Sequence, residues 1–128
     1  MLAADIPAGG KTSARAVARM YAALLGDVPG VRLIAPDRLP EVAGVAASGI
    51  DQVFGNPSSW ALGYAVWLPG ATSGAATTAF GMAGAGGSYA YGDSATGIAF
   101  ALTKNRLTPD FAAVEEINGI VLDALGKR

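Results

Sequence analysis

The sequence contains neither cysteine nor histidine among its 128 residues. The absence of cysteine excludes disulfide bonds, thiol catalysis and iron–sulfur clusters, although it does not indicate a cellular compartment. The absence of histidine removes both the commonest metal ligand and the commonest general base. We therefore expect no cofactor and no metal site, and any acid–base chemistry must use other side chains.

Charged residues are also scarce, at 15% of the chain, and the formal net charge is −1. Because a nucleic-acid-binding surface needs a basic stripe, we expect no nucleic-acid partner. Hydrophobic residues make up 52% of the chain. Much of this share is alanine, and no window reaches the ~20 strongly apolar residues that a membrane-spanning helix needs. Nothing at the start resembles a signal peptide, so the default expectation is a cytoplasmic protein, with the compartment left open.

The stretch AGGKTSARAVARMYAALL, residues 8–25, resembles the end of a phosphate-binding loop. The full signature requires another glycine five positions before the Gly-Lys-Thr. Asp5 occupies that position here, and its carboxylate would repel a phosphate. We therefore interpret the stretch as a glycine-containing loop followed by a helix, with Thr12 or Ser13 as the N-cap.

Hydrophobic periodicity predicts helices at both ends of the chain and strands between them. One helix covers residues 13–25, a weaker one runs from Pro36 to about Ala47, and a third starts at Pro109 and Asp110. Residues 48–59 are predicted to form a loop. The predicted extended segments are VRLI (31–34), WALGYAVW (60–67), AFGMAG (79–84), SYAYGD (88–93) and GIAFALTKN (97–105). This order indicates a single domain, residues 1–128, of the α+β class, with an antiparallel β-meander packed against helices.

The glycine-rich run FGMAGAGGSYAYGD, residues 80–93, is the densest candidate for a functional site. It does not fit the dinucleotide-binding fingerprint, because the sixth position counted from Gly84 is Tyr89 and no helix follows. We interpret the run as a hairpin. Two interpretations of its glycines stay open: a close backbone approach at a sheet corner, or a strand edge whose N–H groups face a substrate.

The same run resembles the third active-site motif of the serine β-lactamase-related hydrolases, which include class C β-lactamases, D-alanyl-D-alanine peptidases and related esterases. In that family an edge strand carries Lys-Thr-Gly or His-Thr-Gly, often within Phe-Gly-His-Thr-Gly-Ala-Gly-Gly-Ser. Residues 80–88 read Phe-Gly-Met-Ala-Gly-Ala-Gly-Gly-Ser. Further segments resemble the family in its order, namely GGKTSARAVARMYAALL, GVRLIAPDRL, WALGYAV and YAYGDSATGIAFALTKNRL. The resemblance implies the C-terminal part of the β-lactamase/transpeptidase-like fold.

The catalytic motifs of the family are absent from the sequence. Its nucleophile is a serine in Ser-x-x-Lys, activated by the lysine and by the tyrosine of Tyr-x-Asn. None of the serines here is followed three residues later by lysine, and no tyrosine begins Tyr-x-Asn. The resemblance therefore implies no catalytic residue in this chain, and whether the chain alone is an enzyme stays undecided.

The third motif is altered as well. Met82 stands where the family has Lys or His, and Ala83 stands where it has Thr. A thioether cannot relay a proton, so Met82 is expected to fill space beside the strand. By the resemblance, the N–H of Ala85 is one of two oxyanion donors, the other belonging to the missing serine. The candidate oxyanion strand and the candidate substrate loop after it comprise Met82, Ala83, Gly84, Ala85, Gly86, Gly87 and Ser88.

Two functions follow from the resemblance. The first is the C-terminal portion of a serine hydrolase whose parent acts on esters, amides or β-lactams, with Met82 favouring esters, and which is inactive alone. The alternative is a non-catalytic binding or assembly module derived from that fold. A small α+β domain of unrelated function also stays open.

The resemblance also carries an expectation about partners. In the family, the last strand pairs with a strand from the N-terminal part. The segment GIAFALTKN would otherwise present an unpaired edge, and such an edge invites pairing with another chain. We therefore expect either a homodimer or a complementary N-terminal polypeptide at this edge, with a small ester or β-lactam as the ligand of the parent enzyme.

Overall fold

A computed structural model of the chain describes residues 10–26, 28–68 and 77–126. Its helices are α1 (Ala14–Leu25), α2 (Leu39–Ala43) and α3 (Ala112–Ala124), with a 3₁₀ turn at Pro36–Arg38 before α2. Its strands are β1 (Ala47–Ile50), β2 (Pro57–Trp60), β3 (Ala79–Ala83), β4 (Tyr89–Asp93) and β5 (Ala99–Leu102). β1 and β2 form one antiparallel pair, and β3, β4 and β5 form an antiparallel sheet in chain order. The predicted α+β class and the predicted meander are confirmed.

The first helix begins where the sequence predicted. The side-chain oxygen of Ser13 accepts a hydrogen bond from the N–H of Ala16 at 3.2 Å, which satisfies one of the free donors at the helix start. The helix buries Tyr21, Ala23 and Leu24. Gly10, which belongs to the Gly-Gly-Lys-Thr sequence before the helix, is exposed. The N-cap is Ser13, and residues 10–13 form no helix or strand, as predicted, while Gly9 lies outside the described residues.

The second helix is shorter than predicted. It ends at Ala43 rather than near Ala47, because Gly44 leaves the helix with an extended backbone while its N–H donates to the carbonyl of Pro40 at 3.0 Å. The chain enters β1 three residues later, so the predicted loop over residues 48–59 was wrong at both ends, and only residues 51–56 form a turn. Its turn residues belong to a hairpin, in which the Asp51 carboxylate accepts from the N–H groups of Val53 and Phe54 at 2.8 and 2.9 Å.

The strand predicted over residues 60–67 was also wrong. Only Trp60 belongs to a named strand, and Ala65 forms isolated bridges with Trp60 and Gly81. The positive φ of Gly63, 86°, turns the chain between these positions. Residues 61–68 therefore run beside the three-stranded sheet and do not form a fourth strand in it.

The three-stranded sheet is covered on both faces. On one face, Phe80 packs with Tyr21 and Leu24 of α1. On the other face, Tyr89, Tyr91 and Phe100 pack with Val114 of α3. These sets alternate along the strands, as the period of two in a β-strand requires.

Tyr91 is fully buried on the second face. Its hydroxyl donates to Oδ1 of buried Asn118 at 2.7 Å, and its ring stacks on Phe100 with centroids 5.6 Å apart. Burial, and to a smaller extent the charge of Asp93, raise the pKa of Tyr91 to about 12. The phenol therefore remains protonated as the hydrogen-bond donor at neutral pH.

Replacing Asn118 with leucine should lower the free energy of unfolding by about 1–3 kcal/mol, because the buried Tyr91 hydroxyl would lose its acceptor. The double variant with Asn118→Leu and Tyr91→Phe should recover most of this loss, since removing both partners of a buried hydrogen bond is nearly neutral. Urea unfolding followed by circular dichroism measures both effects. Simple addition of the two single losses would contradict the predicted coupling.

Candidate functional site

The outer edge of β3 is partly covered and partly open. Gly81 pairs with Ala65 through two backbone hydrogen bonds, at 2.9 Å from its N–H and 2.7 Å to its carbonyl. Hydrogen-bonding direction alternates along an antiparallel strand, so the N–H and C=O of Ala83 face the same outward side as those of Gly81. Within residues 10–26, 28–68 and 77–126, no strand or bridge pairs with that side of Ala83. The open edge therefore begins where the candidate site was predicted.

A tight turn joins β3 to β4. The N–H of Gly84 donates to the Ser88 carbonyl at 2.8 Å, and the N–H of Gly87 donates to the Gly84 carbonyl at 2.9 Å. Gly87 has a φ of 79°, a conformation that favours glycine. This is a type I turn followed by a left-handed glycine, with Ala85 and Gly86 at its two central positions. The hairpin predicted from the glycine-rich run is therefore present.

The N–H of Ala85 is the group of interest in this turn. Ala85 is exposed. Among the described residues, its N–H makes no backbone hydrogen bond. The turn therefore presents a donor beside the open edge at Ala83, and a donor of this kind can stabilise an oxyanion.

Residues 104–110 form hydrogen bonds with the Gly86–Ser88 part of the turn. The N–H of Thr108 donates to the carbonyl of Gly86 at 3.3 Å, and the N–H of Lys104 donates to Oγ of Ser88 at 3.0 Å. The hydroxyl of Ser88, the residue just before β4, therefore links the turn to residues 104–110. Lys104 was predicted to lie near the end of an extended segment, and its contacts with the turn were not predicted from the sequence.

Met82 lies on the α1-facing side of β3, next to the turn. It pairs with Ala90 of β4, and its side chain is 44% exposed. Only part of the thioether chain thus packs against the protein, and the rest meets solvent beside the open edge.

Aromatic side chains pack below Ala83. The Trp67 ring contacts those of Tyr89 and Phe111 edge-on, with centroids 5.4 and 6.3 Å away. The hydroxyl of Tyr89 donates to the Trp67 carbonyl at 2.6 Å, and burial raises the pKa of this phenol. The end of the segment predicted as a strand therefore packs through Trp67 beside the candidate site.

The part of the chain that the structure describes contains no group of three or more Asp, Glu, His or Cys side chains that could hold a metal ion. None of the helices in that part is long and apolar enough to cross a membrane.

Comparisons with known proteins agree with this architecture. The beta-lactamase family model matches residues 3–124. The esterase/beta-lactamase LipL of Mycobacterium tuberculosis (strain ATCC 25618 / H37Rv) is 36% identical over 111 residues, which cover 84% of this chain and 25% of LipL. The crystal structure of a penicillin-binding protein homolog from Caulobacter crescentus matches with a TM-score of 0.61 and 28% identity, over 75% of this chain and 26% of that protein.

Two further solved structures share the fold. A family VIII carboxylesterase matches with a TM-score of 0.61 and 23% identity, over 74% of this chain and 26% of its own. EstA from Arthrobacter nitroguajacolicus Rue61a matches with a TM-score of 0.64 and 22% identity, over 88% of this chain and 32% of its own. The chain thus spans between a quarter and a third of the length of these four proteins. The fold implied by the family resemblance is confirmed.

The packing of Gly87 provides a test of how tightly the turn is held. A Cβ at this position would lie 2.4 Å from the Asp110 carbonyl oxygen, 2.5 Å from the Lys104 ammonium and 2.6 Å from the Thr108 carbonyl oxygen. Gly87→Ala should therefore cost ~1–2 kcal/mol for the left-handed backbone and a further ~1–3 kcal/mol for the clash.

Gly97 in the β4–β5 turn is a matched control, because its φ of 73° is similar and a Cβ there would meet nothing within 4 Å. Gly97→Ala should show the backbone cost alone. Thermal and urea unfolding of both variants measure the difference. Equal losses would mean that the turn does not pack tightly against residues 104–110.

Proposed function

The chain belongs to the β-lactamase family, and we propose that it is the C-terminal portion of a serine hydrolase of that family. The parent enzyme would hydrolyse esters, amides or β-lactams through a Ser-x-x-Lys nucleophile, which this sequence does not contain. The similarity to LipL, an esterase/beta-lactamase, supports this class of substrate. On this proposal the chain is inactive alone, because it supplies a wall of the active site and not the attacking group.

The open backbone at Ala83 and Ala85 carries the proposal. Hydrolysis of an ester, an amide or a β-lactam passes through a tetrahedral intermediate with a negatively charged oxygen. The N–H of Ala85 would stabilise that oxygen, and a second N–H would come from the serine outside this sequence. A backbone donor needs no particular side chain, so this role tolerates the replacement of the usual motif by Met82 and Ala83.

The identity of residue 82 bears on the substrate. A partly exposed thioether next to the open edge provides apolar contact and no positive charge. A β-lactam carboxylate would gain nothing from such a neighbour, whereas the acyl group of a neutral ester would. We therefore propose that the parent prefers esters.

A chimera of LipL tests the oxyanion role. In it, the matched region of LipL is replaced by that of this chain, and hydrolysis of a short-chain aryl ester is measured. Ala85→Pro in this chimera should lower kcat by about 10²–10³, because proline removes one oxyanion donor. Proline is favoured at the first central position of a type I turn, so the fold should be retained.

Ala85→Ser keeps the N–H and is the matched control, with kcat expected within a factor of about three of the chimera's. The unfolding midpoint of the isolated chain with Ala85→Pro checks that the turn survives. If Ala85→Pro leaves kcat unchanged in an active chimera, the oxyanion assignment is wrong. The isolated chain should form no adduct with a fluorophosphonate or a penicillin by intact mass, and an adduct on Ser88 would contradict the missing nucleophile.

The second candidate function, a non-catalytic assembly module, is favoured by the outer edge of β5. The N–H of Asp93 donates to the Ile98 carbonyl at 2.8 Å. This bond shows which residues of β5 direct their backbone groups towards β4, because these residues alternate along the strand. By that alternation, the backbone groups of Ala99 and Ala101 face away from β4. No strand in the described part of the chain covers that side of β5. We propose that another polypeptide strand pairs there, from an N-terminal polypeptide or from a second copy of this chain.

The isolated chain should therefore associate into a dimer in the micromolar range, measured by light scattering after gel filtration. Ala101→Pro should yield monomers, because it removes an outward N–H without removing a bond to β4. Ala101→Ser keeps that N–H and should still dimerise. A monomeric mass for the unmodified chain at every concentration would rule out pairing between copies.

A further inference from the structure

Among the lysines and arginines that the structure describes, Lys104 is the one that is not exposed, and it lies beside the turn of the candidate site. It follows β5 by two residues, and its side chain is 15% exposed. Its ammonium donates to Oγ1 of Thr108 and to the carbonyl oxygen of Asp110, the latter at 3.3 Å. The carboxylate of Asp110 lies 3.7 Å from the same ammonium. A lysine that is largely withdrawn from water requires partners of this kind.

These contacts close residues 104–110 into a compact loop. Both ends of the loop meet at the ammonium, because Lys104 begins it and Asp110 ends it. The hydrogen bond from Thr108, together with the nearby charge of Lys104, holds the pKa of the Asp110 carboxyl below its usual value. The carboxylate therefore stays ionised opposite the ammonium at neutral pH.

The closed loop packs directly against the turn that carries Ala85. Gly87 is buried between the ammonium and the carbonyl oxygens of Thr108 and Asp110, with no space for a Cβ. The carbonyl of Gly86 accepts the N–H of Thr108. The ammonium therefore lies between residues 108–110 of the loop and Gly87 of the turn. Removing the ammonium would remove contacts that hold the loop and the turn together.

We propose that Lys104 is a positioning residue, which closes the 104–110 loop onto Gly86 and Gly87 and so holds the Ala85 N–H in place. The mechanical part of this proposal concerns the chain alone. Its catalytic consequence rests on the proposed function, because it matters only where the Ala85 N–H faces a substrate. Lys104 itself touches no reacting atom.

The mechanical part is tested by amide hydrogen exchange in the isolated chain. Lys104→Met keeps an unbranched side chain of nearly the same length, one heavy atom shorter, and removes its donors. The amides of Gly87 and Thr108 should then exchange at least about tenfold faster, while that of Tyr91 in β4 reports any global change. Arg106→Met, at an exposed position of the same loop, is the matched control and should leave all three rates unchanged.

Thr108→Val provides an independent variant, since it removes an acceptor of the ammonium with little change in shape. It should accelerate hydrogen exchange of the Gly87 amide in the same way. The Gly87 amide of the double variant with Lys104→Met should exchange no faster than that of Lys104→Met alone. Unchanged Gly87 and Thr108 rates in Lys104→Met overturn the positioning role, whatever the function of the chain. Equal acceleration of the Tyr91 amide overturns it too, because Lys104 would then support only global stability.

The catalytic consequence is tested in the LipL chimera. Lys104→Met should lower kcat for the aryl ester by about 10- to 100-fold with little change in KM, as expected when a transition-state donor is displaced. Arg106→Met should have no effect. If exchange accelerates but kcat is unchanged, the positioning of the turn stands and its link to catalysis is overturned. If Ala85→Pro is also without effect, the proposed oxyanion role itself fails.

Discussion

The buried side chain of Tyr91 connects the elements that surround the candidate site. Its ring stacks on Phe100 of β5, and its hydroxyl is bound by Asn118 of α3. Across the strand pair it lies over Gly81 of β3, where a Cβ would come within 2.7 Å of the Tyr91 backbone and side chain. Glycine is therefore required at residue 81. The same glycine pairs outward with Ala65, which lies along the edge of β3.

The open donor at Ala85 follows from this arrangement. The pairing of Gly81 with Ala65 covers the first part of the β3 edge, and the hydrogen bonds of the turn account for Gly84 and Gly87. Among the described residues, no backbone group accepts the N–H of Ala85. In a site that excludes water, a rigid donor of this kind is worth more than one in solvent, because it requires no reorganisation when negative charge develops.

The small residues of the hairpin have different physical roles. Gly81 makes room for Tyr91, and Gly92 of β4 makes room for the side chains of Phe80 and Leu25, which would lie 3.3 and 3.4 Å from a Cβ there. Gly87 provides a left-handed backbone and a close contact with residues 104–110. The close backbone approach is therefore present, and an open edge lies beside it. That this edge faces a substrate stays a prediction. The chain spans a quarter of the length of LipL. On the proposed function, the open edges of β3 and β5 are where the rest of the parent enzyme would contribute substrate contacts and further strands.

Local sequence determined the elements whose signals lie within a few residues of one another. These include the N-cap at Ser13, the tight turn at Gly84–Ser88, the three-stranded meander and the final helix. Local signals were insufficient where a distant contact decided the outcome. The aromatic segment 60–67 has strand-like composition, yet it packs through Trp67 against Tyr89 and Phe111 and pairs only at Ala65.

The second helix stopped at Gly44 and the chain entered β1, whose partner β2 begins several residues later, so the turn residues between them formed a hairpin. The ring of contacts around Lys104 was beyond sequence patterns as well. It joins a lysine to a turn 17 residues earlier, at Gly87, and to residues 108 and 110 on its other side. Only the folded chain brings these groups together, because hydrogen bonds and close packing depend on distances in space that no short-range periodicity encodes.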